Sequence, residues 1–336
     1  MARWIDSKIG SIKHILYTLK NKLHIIFSVM VMPIYNIDDE KLTPIKQVKF
    51  KNERELQTLT EKNLEELFGL KFVATEFQVD NLRVDTLAFN EETKSFVIIE
   101  YKNIKNYSVI DQGYSYLSLL LNNKAEFVLK YNLVFNTSLS KDEFDFSQTS
   151  VMFIAPSYTT YQLRSVEFSD IAFELWKVVK YSNGTVLYDK VNDTNNTASI
   201  KQITNSDNKK QKVNREIKKY TEEDTLAGKP DDIKSLYYEL KDFVLSNYDD
   251  VEINHVKYYF VFKVNNKIVV SVSVLSKSIK AWINLKESEL NDPDNRIRNV
   301  ANVGHHGVGD YEFKITSEND FYYFDKLFKQ SYDEKV

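Results

Sequence analysis

Asp85, Glu100 and Lys102 lie within LRVDTLAFNEETKSFVIIEYK, residues 82–102, among Val, Ile, Leu and Phe. Burying charge in apolar surroundings is costly, so two carboxylates and an ammonium placed this way point to a site. Two adjacent carboxylates repel unless a cation sits between them or one is protonated. Oxygen ligands suit Mg²⁺ or Mn²⁺, which neutralise phosphoryl oxygens and make a bound water nucleophilic. A lysine beside them adds positive charge near a developing anion. Phosphodiester hydrolysis is one chemistry that this combination fits. The plainer alternative is a buried ion pair between Lys102 and one carboxylate. Zinc suits the pattern poorly, since the chain has no Cys and no His falls between Asp85 and Lys102.

A β-hairpin must position these residues. Apolar runs flank the polar connection Asn90-Glu91-Glu92-Thr93-Lys94, the signature of two strands and a turn. A turn centred between Glu92 and Thr93 puts Asp85 opposite Glu100, about 4.5–5.5 Å apart at Cβ. Lys102 shares the face of Glu100, because side chains alternate along a strand. A one-residue slip instead pairs Asp85 with Ile99 and sends Glu100 to the other face. Apolarity on both faces of both strands places the hairpin inside a covered sheet. A second D-x(n)-E-x-K match, Asp294 with Glu312 and Lys314, has its acid in the turn-like run NDPDN.

Helices are expected on either side. Upstream, residues 53–68 carry Leu56, Leu59, Leu64 and Leu67, end at Gly69 as a C-cap, and offer five glutamates including Glu53 and Glu61. Downstream, Ser108 with Asp111 forms a capping-box-like start to a helix reaching about Leu121. Gln112 and Tyr116 are four apart and share a face. Together they can hydrogen-bond toward the carboxylates or a bound phosphate; Tyr116 alone fits ordinary core packing equally well.

Taken together, Glu53-Arg-Glu-Leu-Gln57, Arg83-Val-Asp85, Val97-Ile-Ile-Glu100-Tyr-Lys102 and Gln112-Gly-Tyr-Ser-Tyr116 resemble the PD-(D/E)xK nuclease superfamily. The likeness is to the nuclease domain of NucS/EndoMS-type DNA endonucleases and related uncharacterised proteins, over roughly residues 40–185. It implies an α/β core with a mixed central sheet flanked by helices. It also implies Mg²⁺ or Mn²⁺ held by Asp85 and Glu100, an attacking water positioned by Lys102, and Glu53 as an accessory acid. Gln112 and Tyr116 would support the site, and the partner would be nucleic acid, DNA in the first instance. Val84 stands where the motif has Pro, and the amino-terminal DNA-binding domain of those enzymes has no counterpart before Glu53.

The rest of the chain frames this domain. Its 336 residues allow two domains, and a formal charge of −3 leaves any nucleic-acid contact to a local surface. Zero cysteines are compatible with a reducing cytosol, so a cytoplasmic location is expected. Residues 1–31 read as a basic extension ahead of Met32; the apolar run LHIIFSVMVM is about half the 20 residues a membrane span needs. No stable membrane insertion is expected, with a surface anchor as the rival reading. The nuclease-like domain is assigned to 32–190, with a buried strand at Val151–Ala155 and two more around Ser182-Asn183-Gly184. Residues 191–230 read as a polar, basic linker: between Lys201 and Tyr220 seven Lys/Arg face Asp207 and Glu216, a net +5. Such a run either contacts phosphates or is simply solvated.

Residues 231–336 read as a small α+β domain resembling DUF5655, a domain of unassigned activity. Helices at 231–245 and 318–332 enclose strands at 257–264, 267–274, 279–285 and 311–315. Its run Gly304-His305-His306-Gly307 reads as a glycine-rich connection, since neighbouring histidines on extended chain chelate one metal poorly. The expectation is a divalent-metal-dependent nuclease with an appended module that recruits substrate or a protein partner. The alternative is a non-catalytic nucleic-acid- or protein-binding module on the same fold.

Overall fold

The computed structural model describes residues 33–102, 108–166, 172–191, 207–286, 289–303, 305 and 307–336. The extension expected at 1–31 lies outside them, as do residues 192–206 of the expected linker and His306.

A ribbon of β1 (Tyr35–Asp38) and β2 (Lys41–Pro44) precedes β3 (Gln47–Val48), which edges the first large sheet. Helix α1 (Glu53–Glu61) starts where the Asn52 side chain accepts from the Glu55 N–H. A short α2 (Leu64–Phe68) then closes at Gly69, in the left-handed conformation at φ 63°. The single helix expected over 53–68 is therefore interrupted at Lys62-Asn63. Asn63 Nδ2 donates back to the Leu59 carbonyl at 2.7 Å, the local competition by which Asn ends helices.

Strands β4 (Lys71–Val79), β5 (Leu82–Asn90) and β6 (Ser95–Tyr101) form an antiparallel meander. Helices α3 (Val109–Asn122) and α4 (Lys124–Phe135) cross to β7 (Ser150–Ala155), parallel to β6. Helix α5 (Thr160–Ser165) leads to β8 (Phe173–Tyr181), parallel to β7, and β9 (Val186–Lys190) returns antiparallel after Ser182-Asn183-Gly184. The sheet order is β3-β8-β7-β6-β5-β4, with β9 also on β8. This is a mixed sheet flanked by helices, in an α/β arrangement.

All of β6 is buried, because both faces of the sheet are covered. Phe96 and Ile98 join Leu117, Leu120 and Phe127 beneath α3 and α4. Val97, Ile99 and Tyr101 pack with Leu56, Leu64, Met152 and Ile154 on the α1 side. Strand alternation then directs Glu100 to the α3 side, as the next residue in the Phe96–Ile98 series. On β5, Leu87 and Phe89 lie in the α3-side core, so Asp85 shares that face.

The stretch expected as a linker is a correction in its described part. Residues 208–216 form α6 (Asn208–Glu216), and Val213 and Ile217 are 2% and 7% exposed in the first core. Two apolar residues four apart make a stripe narrow enough to escape a compositional reading, yet wide enough to dock on α3. Tyr114 Oη donates to Asn214 Oδ1 at 2.7 Å and Lys124 pairs with Glu216 at 3.0 Å. Helix α7 (Glu222–Leu226) belongs to the second unit, with Leu226 in its core.

That unit continues with α8 (Asp231–Asn247), β10 (Glu252–His255), β11 (Phe260–Val264), β12 (Lys267–Val274), β13 (Ile279–Ile283), β14 (Arg298–Asn299), β15 (Tyr311–Ile315) and α9 (Phe321–Asp333). The sheet is antiparallel, in the order β10-β11-β12-β13-β15-β14. Tyr237, Leu240, Phe260, Phe262, Phe324 and Phe328 fill its core. The short β10 and β14 carried little apolar signal in the sequence, Ile253 alone in β10 and none in β14. The β5–β6 turn touches this unit: Tyr259 Oη donates to the Glu92 carbonyl, and Lys263 Nζ lies 3.8 Å from the Glu92 carboxylate. Asn266 Nδ2 also donates to the Leu67 carbonyl at 3.0 Å.

Candidate active site

The β5–β6 ladder runs from Asn90↔Ser95 to Thr86↔Ile99. The next position in that register sets Asp85 against Glu100, as a turn centred on Glu92 and Thr93 requires. Beyond the last ladder pair, Asp85 Oδ2 accepts from the Tyr101 N–H at 3.0 Å. Glu100, 5% exposed, is held by three donors. Lys102 Nζ reaches its Oε1 at 2.5 Å, Gln112 Nε2 the same oxygen at 2.8 Å, and Tyr116 Oη its Oε2 at 2.6 Å.

The Gln112 amide also donates to Tyr116 Oη at 3.1 Å. Its buried Oε1 has no hydrogen-bond partner among the described residues. Burial pushes the Asp85 carboxyl up to about 6, with the neighbouring Glu100 adding to the rise; the Tyr101 N–H and Lys102 oppose it. Burial and Glu100 likewise push the Tyr116 phenol up, so it stays a donor at neutral pH.

Helix α3 can bring Gln112 and Tyr116 to Glu100 because its start is capped and its flank is bare. The Ser108 side chain accepts from the Asp111 N–H. At Gly113 a Cβ would stand 2.6 Å from the Phe173 ring, so glycine lets α3 settle on β8. Leu82, Ser108, Asp111, Gln112, Ser115 and Tyr116 line an open pocket of about 390 Å³ at this end of the helix.

Glu53 sits in the exposed first turn of α1. The α1 side chains bonded to the Asp85–Thr86 segment are instead Gln57 and Glu61, four and eight residues on. Gln57 Nε2 donates to the Asp85 carbonyl at 2.8 Å, and Thr86 Oγ1 donates to Glu61 Oε1 at 2.7 Å. They approach from the face opposite Glu100, and brace the strand. Glu76 was missed. Flanking pairs Thr75↔Thr86 and Phe77↔Val84 bring it opposite Asp85 on β4, where it pairs with Arg83 at 2.8 Å and Arg54 at 3.3 Å. Its φ of 48° is left-handed. The only sequence signal was a lone acid within an otherwise strand-like run.

Two carboxylates are what the chain brings together: among the described residues, no group of three or more His, Asp or Glu could hold a metal ion. Two carboxylates are a donor set that Mg²⁺ or Mn²⁺ accepts, since Mg²⁺ uses one or two carboxylates and keeps several waters. In the second unit, His305 stacks on Trp282 at 5.5 Å and 12°. A Cβ at Gly307 would meet that Trp at 2.4 Å, so the glycine serves a close backbone approach.

Residues 222–335 match the family model described as Domain of unknown function (DUF5655). The expected start at 231 therefore moves to 222, which takes in α7. A protein of Haemophilus influenzae described as uncharacterized is 40% identical over 300 residues, covering 89% of this chain and 99% of that one. The chain belongs to the family of that protein. A solved chain described as "Structure of EndoMS-dsDNA2 complex" aligns at 17% identity over 36% of this chain and 43% of its own length. Its TM-score is 0.22. Among the described residues no helix is long and apolar enough to cross a membrane.

Proposed function

We propose that this protein is a divalent-metal-dependent nuclease of the PD-(D/E)xK type, hydrolysing phosphodiester bonds in DNA. The observation that carries the reading is the Glu100 cluster. An almost fully buried carboxylate sits in register with a second carboxylate and is ringed by Lys102, Gln112 and Tyr116 beside an open pocket. Asp85 and Glu100 would hold Mg²⁺ or Mn²⁺, which supplies charge neutralisation on the phosphoryl group and a more acidic bound water. Gln112 and Tyr116 fix the orientation of Glu100. Lys102 places a positive charge beside Glu100, where it can orient an attacking water and stabilise developing negative charge. Burial and the neighbouring Glu100 raise the pKa of Asp85, a repulsion that a bound cation would relieve.

A second reading, a binding module that has lost turnover, draws on the same ring. Both Glu100 oxygens already accept hydrogen bonds, and the Lys102 contact at 2.5 Å is a closed ion pair. One experiment separates the two. The full chain is incubated with single-stranded, duplex and branched DNA, and with RNA, under Mg²⁺, Mn²⁺ or EDTA. The nuclease reading expects metal-dependent cleavage that Asp85→Asn, Glu100→Gln and Lys102→Ala each abolish, with Lys102→Ala still binding metal. Cleavage unchanged in Asp85→Asn would refute the site, and binding without cleavage on any substrate would leave the binding module.

A further inference from the structure

We propose that α6 is the surface that grips the DNA backbone beside the pocket lined by Gln112 and Tyr116, a reading that rests on the proposed function. The whole chain carries a formal charge of −3, so attraction to a polyanion must be local. Residues 207–219 supply it: six Lys/Arg stand against Asp207 and Glu216. The fold then does something a linker would not. Val213 and Ile217 bury this segment against α3, the helix whose first turn lines the pocket. Lys210 Nζ lies 2.7 Å from the carboxylate of Asp111, itself a pocket residue. The rim acid that would repel a phosphate is thereby neutralised by α6.

The anchoring contacts leave the outer face charged. Lys124 pairs with Glu216 and cancels the helix's own acid. Lys212 and Arg215, three apart on the face opposite Val213, are exposed, as is Lys218 just beyond the helix. Lys212 donates to the neutral amide of Asn122 at 3.0 Å, and so keeps its charge. Among the described residues, none of these three cations forms an ion pair with a carboxylate. From Lys210 at the pocket rim the cations run along α3 to Lys212, beside Asn122 at the helix's far end; such a row suits a chain of phosphates, whose counterions are released on binding.

The test uses the full chain and a fluorescein-labelled DNA duplex in EDTA, followed by anisotropy over a salt series. The combined variant Lys212→Ala, Arg215→Ala, Lys218→Ala should bind at least about tenfold more weakly at low salt. The slope of log K against log salt should fall by about two to three, roughly one per lost phosphate contact. The control Lys326→Ala, Lys329→Ala, on exposed α9 positions, should change neither. Thermal unfolding and its response to Mg²⁺ report separately on the fold and on the Asp85–Glu100 site. Wild-type affinity and slope in the triple variant, or no DNA binding by the wild type, would overturn the proposal. An absent Mg²⁺ response with salt-dependent binding intact would instead remove the nuclease reading and leave the α6 surface standing.

Discussion

Replacing Asp85 by Asn should stabilise the metal-free protein at neutral pH, although it removes a residue of the proposed site. In the fold the Asp85 carboxyl is raised from 3.8 to about 6, by burial first and the Glu100 charge second. A raised carboxyl means the folded state holds its proton more tightly than the unfolded state. Folding stability therefore carries no penalty below about pH 4, falls as the pH rises from about 4 to 6, and stays reduced above that. A shift of about two units sets a ceiling of about 3 kcal/mol. Asp85 is part-exposed, and screening by water brings this to about 1–2 kcal/mol.

Asn keeps an oxygen for the Tyr101 N–H that Asp85 now bonds at 3.0 Å, so the ladder end is preserved while the charge is lost. For a unit of this size the gain corresponds to a Tm increase of about 3–6 °C. The assay is thermal unfolding in EDTA at pH 4 and pH 8, repeated with Mg²⁺. The variant should melt higher than the wild type only at pH 8. Mg²⁺ should raise the wild-type Tm, since a ligand of the folded state alone stabilises it, and leave the variant unmoved. A variant that melts lower at pH 8, or that differs equally at both pH values, would refute the reasoning.

Three further outcomes are expected. Gly113→Ala, whose Cβ would meet Phe173 at 2.6 Å, should cost about 1–3 kcal/mol by overpacking, and urea unfolding equal to wild type would contradict that packing. Tyr116→Phe removes the 2.6 Å donor to a buried carboxylate and should cost about 1.5–3 kcal/mol; an unchanged denaturation midpoint would mean Glu100 does not depend on the phenol. Tyr259→Phe deletes the bond to the Glu92 carbonyl, worth about 0.5–1.5 kcal/mol. Amide exchange at residues 91–95 should then quicken, and unaltered exchange would show that the second unit does not brace the hairpin turn.

Local pattern was sufficient wherever neighbours along the chain decide the outcome. Alternation put Glu100 and Lys102 on one face, Ser108 with Asp111 marked the start of α3, and Gly69 marked the end of α2. The strands expected at 151–155, around Ser182-Asn183-Gly184 and at 311–315 correspond to β7, β8 with β9, and β15. Parity between β5 and β6 was not, because both faces are apolar; the ladder pair Thr86↔Ile99 selects the register that opposes Asp85 and Glu100. Tertiary packing alone brings Gln112 and Tyr116 onto Glu100, since nothing in their own helix specifies its neighbour. The same holds for α6, where Val213 and Ile217 join the first core while Asn214 and Glu216 bond Tyr114 and Lys124 of distant helices. Glu76 likewise reaches Asp85 only through strand pairing, in a left-handed conformation that no local propensity favours. Periodicity reports which side of an element is buried; the partner that buries it is a property of the assembled fold.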